Sequence, residues 1–304
     1  MPELAVVIVS WNVRKLLKGC LRTLLDDIQL WELDAEVWVV DNASEDGSPE
    51  MVAEAFPTVH LIANSENLGF AAANNLALRQ ALQFEARGPD FVWFLNPDTE
   101  VHPGATSTLV SVLRDNPDVG IVGPKLLYGD GSLQQSAFRF PGLTQLAFDL
   151  LPLPDRLYDT RLNGRYPSRH YSGEEPFEVD HLLGAAMMVR METILDVGLM
   201  DESFWMYCEE VDWCWRMKEA GWRALCVPAA RVIHHAGESS GQRPAPSFVN
   251  LWTSRAQLYS RHHGALKRCL ASRFVRSEMR RRLDDASSEM ESSYKDVIRA
   301  WEEI

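Results

Sequence analysis

A single carboxylate, Asp98, closely follows the apolar run Phe91–Leu95, and only Asn96 and Pro97 stand between them. The run predicts a buried strand, and proline ends it because its ring nitrogen cannot donate a ladder hydrogen bond. Ligands of open α/β sheets bind at the carboxyl ends of the strands. A carboxylate there suits a cation such as Mg²⁺, which is held by one or two carboxylates plus substrate phosphates. The alternative is a plain turn, which Asn, Pro and Asp all favour.

A second acidic group, Glu209, Glu210 and Asp212, opens a predicted helix. Acidic side chains are stabilised at a helix N-terminus, so part of the group could be structural. Asp212 lies four residues before Arg216 and can form an ion pair with it. That pairing leaves Glu209 or Glu210 free beside aromatic residues such as Trp205, where a carboxylate can act as a general base.

Other polar residues follow other predicted strands. Asp41 ends the second strand and could accept hydrogen bonds from a ribose or a base, or could belong to a loop that caps the next helix. Asn67 and Gly69 precede the third helix, where a phosphate binds well, although a helix cap and tight turn fit equally. His234 and His235 end a late strand and point to opposite faces, so one of them could bind a metal; a structural role is the alternative.

The elements that would position these residues alternate between strand and helix over the first 125 residues. Strands are predicted at 4–10, 36–40, 59–63, 91–95 and 119–122, and helices at 14–25, from 48 onward, at 69–84 and at 103–114. This order predicts an α/β fold with a mainly parallel central sheet and helices on both faces. Residues 126–179 are rich in Pro and Gly and predict long loops with short helices. Regular structure follows at 177–190, in a helix at 209–220 and in two short strands at 223–227 and 231–234.

Composition limits the function classes. The chain has 304 residues and a net charge of -13, which argues against a nucleic-acid partner. Its five cysteines form no CxxC pair, so neither a disulfide framework nor a zinc site is indicated. The N-terminus lacks a secretory-signal pattern, and no apolar run approaches the length of a membrane span. These features predict a cytoplasmic protein with reduced thiols.

The C-terminal tail, 261–304, has a strongly uneven charge. Residues 261–282 carry a net charge of +7 and residues 283–304 a net charge of -5. The basic part also contains Leu266, Leu270, Phe274, Val275 and Met279, and could lie on an anionic membrane surface. Alternatively it is a helix packed on the preceding domain or on a second subunit, which would make the protein a homodimer. The acidic part could pair with the basic part and mask it.

Seven motifs occur along the chain in a specific order. They are VVIVSWN (6–12), VVDNASEDGS (39–48), NSENLGFAAANN (64–75), WFLNPDTE (93–100), LLGAAMMVR (182–190), FWMYCEEVDWCWR (204–216) and VIHHAGESS (232–240). In this order they closely resemble the family 2 glycosyltransferases, especially the bacterial rhamnosyltransferase-like branch. The resemblance covers about residues 4–263. It implies a GT-A fold at 1–260, with a nucleotide-sugar-binding half at 1–125 and an acceptor half at 126–260, followed by the helical tail.

The resemblance also implies roles for single residues. The implied donor-binding residues are Ser10, Asn12, Asp41, Asn67, Gly69, Asn74, Asn96 and Asp98. A cofactor, Mg²⁺ or Mn²⁺, would be bound by Asp98 and His234, with His235 as the less favoured ligand. The catalytic base would be Glu210, with Glu209 as its alternative because the chain has Glu-Glu where the family base is commonly Asp. Asp212 completes the candidate catalytic set.

The resemblance implies an inverting, metal-dependent transfer of a sugar, with rhamnose as a candidate, from a nucleotide-diphosphate sugar. The acceptor would be a hydroxyl of a glycan or lipid-linked molecule in cell-surface polysaccharide synthesis, at the inner face of the membrane. Asn96-Pro97-Asp98 replaces the Asp-x-Asp of many relatives, so His234 and the diphosphate would supply more of the metal coordination. A sugar nucleotidyltransferase should carry a glycine-rich loop after strand one, but the first glycine is Gly19. A non-catalytic sugar-binding module would have no need for Asp98, Glu210 and His234 together.

Overall fold

The structure is a computed structural model that describes residues 2–80, 88–158, 160–236, 244–284 and 286–304. Its strands are β1 (Leu4–Ser10), β2 (Ala35–Asp41), β3 (His60–Ala63), β4 (Phe91–Leu95), β5 (Thr99–Val101), β6 (Val119–Leu127), β7 (Leu133–Gln134), β8 (Ala137–Phe138), β9 (Phe177–Val179), β10 (His181–Leu182), β11 (Ala186–Arg190) and β12 (Arg223–His234). Its α-helices are α1 (Arg14–Leu30), α2 (Ser48–Ala55), α3 (Phe70–Gln80), α4 (Ala105–Asp115), α5 (Leu143–Leu150), α6 (Met191–Val197), α7 (Glu209–Glu219), α8 (Pro244–His262), α9 (Ala265–Leu283) and α10 (Ser288–Glu302). Three short 3₁₀ helices lie between α5 and β9.

The central sheet has the strand order β3-β2-β1-β4-β11-β6-β12-β5. Strands β3, β2, β1 and β4 are parallel, and β12 is parallel to β6, whereas β11 is antiparallel to both of its neighbours. Ser10 is level with Asp41, so the carboxyl ends of β1 and β2 meet at one edge of the sheet. Strand β5 runs back antiparallel to β12 and sets His234 opposite Thr99, next in sequence to Asp98.

Helices cover both faces of the sheet because the central strands are apolar on both sides. In β1, Val6 and Ile8 pack with α1, α2 and α4, whereas Ala5 and Val7 pack with α3, α6 and α7. Each of these side chains is fully buried, and burying a residue of this size contributes roughly 1.5–3 kcal/mol. The sheet is thus a rigid support for the residues at its edge.

The three C-terminal helices form a separate core with α5. Trp252, Tyr259 and Trp301 are buried together with Val275 and Met279, and they pack on leucines of α5. The Trp301 indole N–H donates to the Trp252 carbonyl oxygen at 2.9 Å, which joins α10 to α8. The tail therefore packs on the rest of its own chain.

The predicted α/β class, the mostly parallel sheet with helices on both faces and the C-terminal helices are confirmed. The first helix is longer than predicted and ends at Leu30. The helix predicted at 69–84 is α3, and residues 81–84 lie outside the described residues. Residues 237–240 of the last motif also lie outside them.

One expectation about the strands was wrong, and strand β5 was missed. The segments 223–227 and 231–234 form one strand, β12, whose pairing with β6 shifts between Val227 and Arg231. Pro228 lies at that irregularity, which is one of the few places where a sheet admits proline. Strand β5 was not predicted, because three residues after a turn carry no periodic signal. Among the helices of the described residues, none has the length and apolar character that a membrane span requires.

Candidate active site

A cavity of about 710 Å³ opens at the carboxyl edge of β1 and β4. This volume lies in the range of pockets that bind small molecules and cofactors. Besides the residues discussed below, its lining includes Val9, Trp11, Phe70, Pro97, Leu183, Ala185, Met206 and Ser247. Helix α7 contributes one wall through Glu209 and Glu210, and helix α8 contributes another.

The loops after β1 and β2 form one end of the cavity and are locked together. The backbone N–H of Asn12 donates to Ser44 Oγ at 2.9 Å, and Asn12 Oδ1 accepts from the Glu45 N–H at 2.8 Å. Asn12 and Ala43, which both line the cavity, have positive φ angles of 52° and 60°. Such backbone conformations are strained and persist where the surrounding structure imposes them, which is common at ligand sites.

Two buried polar atoms at this end have no hydrogen-bond partner among the described residues: Ser10 Oγ and Asp41 Oδ1. Ser10 lines the cavity. Asp41 is almost fully buried, does not line the cavity, and accepts from the Ser44 N–H at 2.8 Å through Oδ2. Ser10 therefore lies at the cavity with a hydroxyl that has no partner within the described part of the chain, whereas Asp41 supports the loop that follows β2.

Gly69 joins the start of α3 to the loop before α7. Its φ is +80°, and a Cβ there would collide with the carbonyl oxygen and indole of Trp205. The Phe70 N–H donates to that same carbonyl at 3.0 Å, and Asn67 Oδ1 accepts from the Gly69 N–H at 2.9 Å. Asn67 and Gly69 line the cavity as predicted, but Asn74 does not; it is buried and donates to the Phe70 carbonyl.

Asp98 and His234 meet in the cavity wall. His234 Nε2 lies 3.3 Å from Asp98 Oδ1, and both side chains are less than a tenth exposed. His234 Nδ1 lies 2.9 Å from Gln134 Oε1, an acceptor, so the ring proton is placed on Nδ1. Nε2 is the ring nitrogen that faces Asp98, whose Oδ1 has no hydrogen-bond partner among the described residues. One oxygen and one nitrogen that face each other in this way fit a shared divalent cation.

His235 points away from Asp98, as expected for adjacent residues on a strand. Its Nε2 lies 2.9 Å from Glu100 Oε1, outside the cavity lining. Within the described residues no three His, Cys, Asp or Glu side chains form a metal-binding cluster. Asp98 and His234 are thus a two-residue set. Asn96 also lines the cavity, and its N–H donates to the Ala185 carbonyl at 2.8 Å.

Glu209 and Glu210 begin α7 and also line the cavity. The two preceding residues, Tyr207 and Cys208, have positive φ angles of 70° and 68°, which turn the chain sharply into the helix. Oε2 of each glutamate is enclosed and has no hydrogen-bond partner among the described residues. Burial raises the pKa of Glu210 to about 7, and burial together with the charge of Glu210 raises the pKa of Glu209 well above its ordinary value. Gly184 lies against Glu210, because a Cβ built there would be 3.5 Å from Glu210 Cγ, in van der Waals contact.

Asp212 lies outside the cavity and joins α7 to α8. The predicted pair with Arg216 is present at 2.9 Å, and His262 Nε2 lies 2.9 Å from the other carboxylate oxygen, with Arg261 at 3.4 Å. Burial raises the pKa of Asp212, but the hydrogen bonds from His262 and Arg216 outweigh it, and the net shift is downward. The indole of Trp215 stacks on His262 at 4.5 Å. These contacts hold Asp212 between α7 and α8, outside the cavity lining.

Sequence reasoning missed several lining or supporting residues. Gln134 holds His234, yet a lone glutamine in a loop gives no signal. Pro246 and Asn250 of α8 line the cavity, although no signal in the sequence singled them out within the acceptor half. Gly184 lies inside the recognised motif at 182–190, which was the one available signal.

Solved structures define the class of fold. A mannosyltransferase from Pyrobaculum calidifontis in complex with GDP-mannose and Mn²⁺ matches with a TM-score of 0.55 at 16% identity, over 98% of this chain and 70% of that chain. GalNAc-T7 with UDP, GalNAc and Mn²⁺ matches with a TM-score of 0.57 at 18% identity, over 77% of this chain and 43% of that chain. The fold is therefore that of the GT-A glycosyltransferases.

The family model "Glycosyl transferase family 2" matches residues 5–191. The N-acetylglucosaminyl-diphospho-decaprenol L-rhamnosyltransferase of Mycobacterium tuberculosis is 32% identical over 219 residues, which are 70% of this chain and 71% of the relative. The dTDP-rhamnosyl transferase RfbF of Shigella flexneri is 26% identical over 235 residues, 77% of this chain and 69% of the relative. The chain belongs to glycosyltransferase family 2, in its rhamnosyltransferase-like branch, and is a transferase that uses a nucleotide-sugar donor.

Proposed function

We propose that this protein transfers a sugar, with rhamnose as the first candidate, from a nucleoside diphosphate to a hydroxyl of a glycan or lipid-linked acceptor, with inversion at the anomeric carbon. The observation that carries this proposal is the pairing of two features in one cavity. The lining contains the Asp98–His234 set and also a carboxyl, Glu210, whose pKa is raised to about 7. Synthesis of a cell-surface polysaccharide is the process that this reaction would serve.

In this proposal, residues 1–125 bind the nucleotide-sugar donor. Ser10, Asn12, Asn67 and Gly69 would surround the nucleotide and phosphates, and Asp98 with His234 would hold Mg²⁺ or Mn²⁺. The donor set fits this cation because a carboxylate oxygen and an imidazole nitrogen face one another without a competing partner. When bound, the cation would stabilise the negative charge of the leaving diphosphate. Asp98 is the one carboxylate of this two-residue set, and it would offset part of the charge of the bound cation.

In this proposal, residues 126–260 bind the acceptor, and Glu210 is the catalytic base. Its carboxylate takes the proton of the acceptor hydroxyl while the hydroxyl oxygen forms a bond to the anomeric carbon. The bond from that carbon to the diphosphate breaks, and its electron pair leaves with the diphosphate. A single displacement of this kind inverts the anomeric centre, and it needs one carboxylate rather than the two that glycosidases use. A pKa near 7 suits a general base at neutral pH.

A thermal-shift screen tests the proposed donor. Two relatives are named for transfer of rhamnose, one of them from dTDP-rhamnose, so dTDP-rhamnose is expected to raise the melting temperature most among dTDP-, UDP- and GDP-sugars. A ligand at 100 times its Kd stabilises a protein by about 2.7 kcal/mol. The shift should increase when Mn²⁺ or Mg²⁺ is present. Equal shifts with all three nucleotides, or none with any, would contradict the donor assignment.

We also propose that the tail contacts an anionic membrane surface, through a smaller face than the sequence suggested. Val275 and Met279 are buried in the C-terminal core, so they cannot belong to that face. Leu266 and Leu270 are 76% and 46% exposed, and they share their helix with basic side chains such as Arg273. The acidic part of the tail pairs with Arg276 and Arg280 through Glu302, which leaves the other end of α9 unmasked.

Sedimentation with vesicles tests this contact. The protein is expected to bind vesicles that contain phosphatidylglycerol and to lose binding in the Leu266→Ser/Leu270→Ser double variant. Each buried leucine contributes roughly 1.5–3 kcal/mol, so the double variant should weaken binding by at least tenfold. Leu162→Ser, at an exposed leucine distant in sequence, is the control. Equal binding of all three proteins would refute the assigned face.

A further inference from the structure

The adjacent glutamates at the start of α7 differ in their surroundings. Glu209 is only 4% exposed, whereas Glu210 is partly exposed at the cavity surface. Both line the cavity, and Oε2 of Glu209 has no hydrogen-bond partner among the described residues. The residues on either side of the pair, Cys208 and Val211, belong to a small apolar cluster with Phe204. Glu209 is therefore a buried carboxyl with unused hydrogen-bonding capacity inside a ligand cavity.

An anionic Glu209 would lack compensation. The described residues give it no ion pair, and Arg255, the cation that acts on the neighbouring Cys208, is paired with Asp149 at 2.9 Å. A helix N-terminus stabilises a carboxylate by less than the cost of burying an unpaired carboxylate. The cost of burying an anionic Glu209 therefore exceeds its stabilisation by the helix. A negative charge on Glu210 raises that cost further. The upward shift of the Glu209 pKa has these same two causes, in this order.

We propose that Glu209 works as a neutral acid that donates one hydrogen bond to an uncharged oxygen of the acceptor sugar, a hydroxyl or an amide carbonyl, beside the hydroxyl that Glu210 deprotonates. This inference rests on the proposed function. A protonated carboxyl has one O–H to donate and cannot serve as a base. Glu209 therefore donates a hydrogen bond, and Glu210 removes the proton. The partner oxygen comes from the ligand, since the described residues offer none. Glu209 thereby sets how the acceptor is oriented and which acceptors bind.

Two substitutions at Glu209 test this role. Glu209→Gln keeps a neutral donor of the same length, so kcat and the acceptor KM should stay within about threefold of the wild type. Glu209→Met keeps the length but removes the donor. It should raise the acceptor KM by about tenfold, the effect of one hydrogen bond between uncharged groups, and leave the donor KM unchanged. Glu219→Gln, at the exposed end of the same helix, is the control.

The assay uses dTDP-rhamnose and an N-acetylglucosaminyl-diphospho lipid, with thermal melting to verify folding of each variant. If Glu209→Gln lost as much turnover as Glu210→Gln, Glu209 would need a negative charge and the inference would be overturned. An unchanged acceptor KM in Glu209→Met would overturn it as well. Failure of the proposed function has a different signature, namely full turnover by Glu210→Gln. The two failures are therefore distinguishable in one experiment.

Discussion

Glu210→Gln is expected to lower turnover by roughly 10²–10⁴-fold, the usual contribution of a general base. The amide has nearly the same shape as the carboxyl but cannot accept the acceptor's proton. Donor binding should stay within about twofold, because the proposed donor and cation contacts are made by other lining residues, such as Asp98 and His234. Turnover is measured as released nucleoside diphosphate, and donor binding by calorimetry. Glu210→Asp, which keeps a carboxylate, should retain more activity than Glu210→Gln.

With Glu210 as the base, the activity of the wild-type protein is expected to depend on pH. Burial raises the pKa of Glu210 to about 7, so the base is charged only above that pH, and kcat/KM for the acceptor should fall as the pH drops through 7. The raised pKa also means that the folded state binds this proton more tightly than the unfolded chain does. The contribution of Glu210 to the free energy of unfolding is therefore present at low pH and is lost as the pH rises through 7. Glu210→Gln should therefore melt higher than the wild type at pH 8. An activity profile that is flat between pH 6 and 8 would contradict the assignment of the base.

Asp98→Ala is expected to abolish both turnover and the cation-dependent part of donor binding. The variant removes the carboxylate that faces His234 Nε2, and the loss of one of the two proposed protein ligands should release the cation. Loss of an interaction of this kind should weaken donor binding by at least about tenfold, or 1.4 kcal/mol. Binding of dTDP-rhamnose is measured by calorimetry with Mn²⁺ and with chelator.

Glu100→Gln is the matched control for Asp98→Ala. Glu100 lies two residues further along the chain and pairs with His235, outside the cavity. This variant should bind donor as the wild type does, with the same response to Mn²⁺. If Asp98→Ala kept a full Mn²⁺ response while Glu100→Gln lost it, the metal set would lie on the other face of β12.

The sequence was sufficient for the local parts of the site. Apolar runs that end in polar residues predicted β1, β2 and β4, and the parallel order placed Ser10 and Asp98 at the same edge of the sheet. The helix start at Glu209 was also predicted. These features depend on short-range patterns, namely periodicity, proline and helix-capping positions.

The remaining parts of the site depend on pairings between distant segments. Asp98 meets His234 only because β5 pairs with β12, and Gln134 reaches the histidine from a two-residue strand. No local pattern encodes such pairings. Asp212 is a further example. Its place in the motif suggested a catalytic role, whereas in the structure its carboxylate contacts His262 of α8, 50 residues later. In the tail, the spacing of Val275 and Met279 fitted a membrane face or a core equally well.

The configuration of the new glycosidic bond tests the central claim most directly. The wild-type protein is incubated with dTDP-rhamnose, Mn²⁺ and an N-acetylglucosaminyl-diphospho lipid, and the anomeric configuration of the product is read from its one-bond carbon–hydrogen coupling by NMR. Transfer by one displacement, with Glu210 as the base, predicts a configuration opposite to that of the donor. A product that keeps the donor's configuration would contradict this mechanism and the role of Glu210.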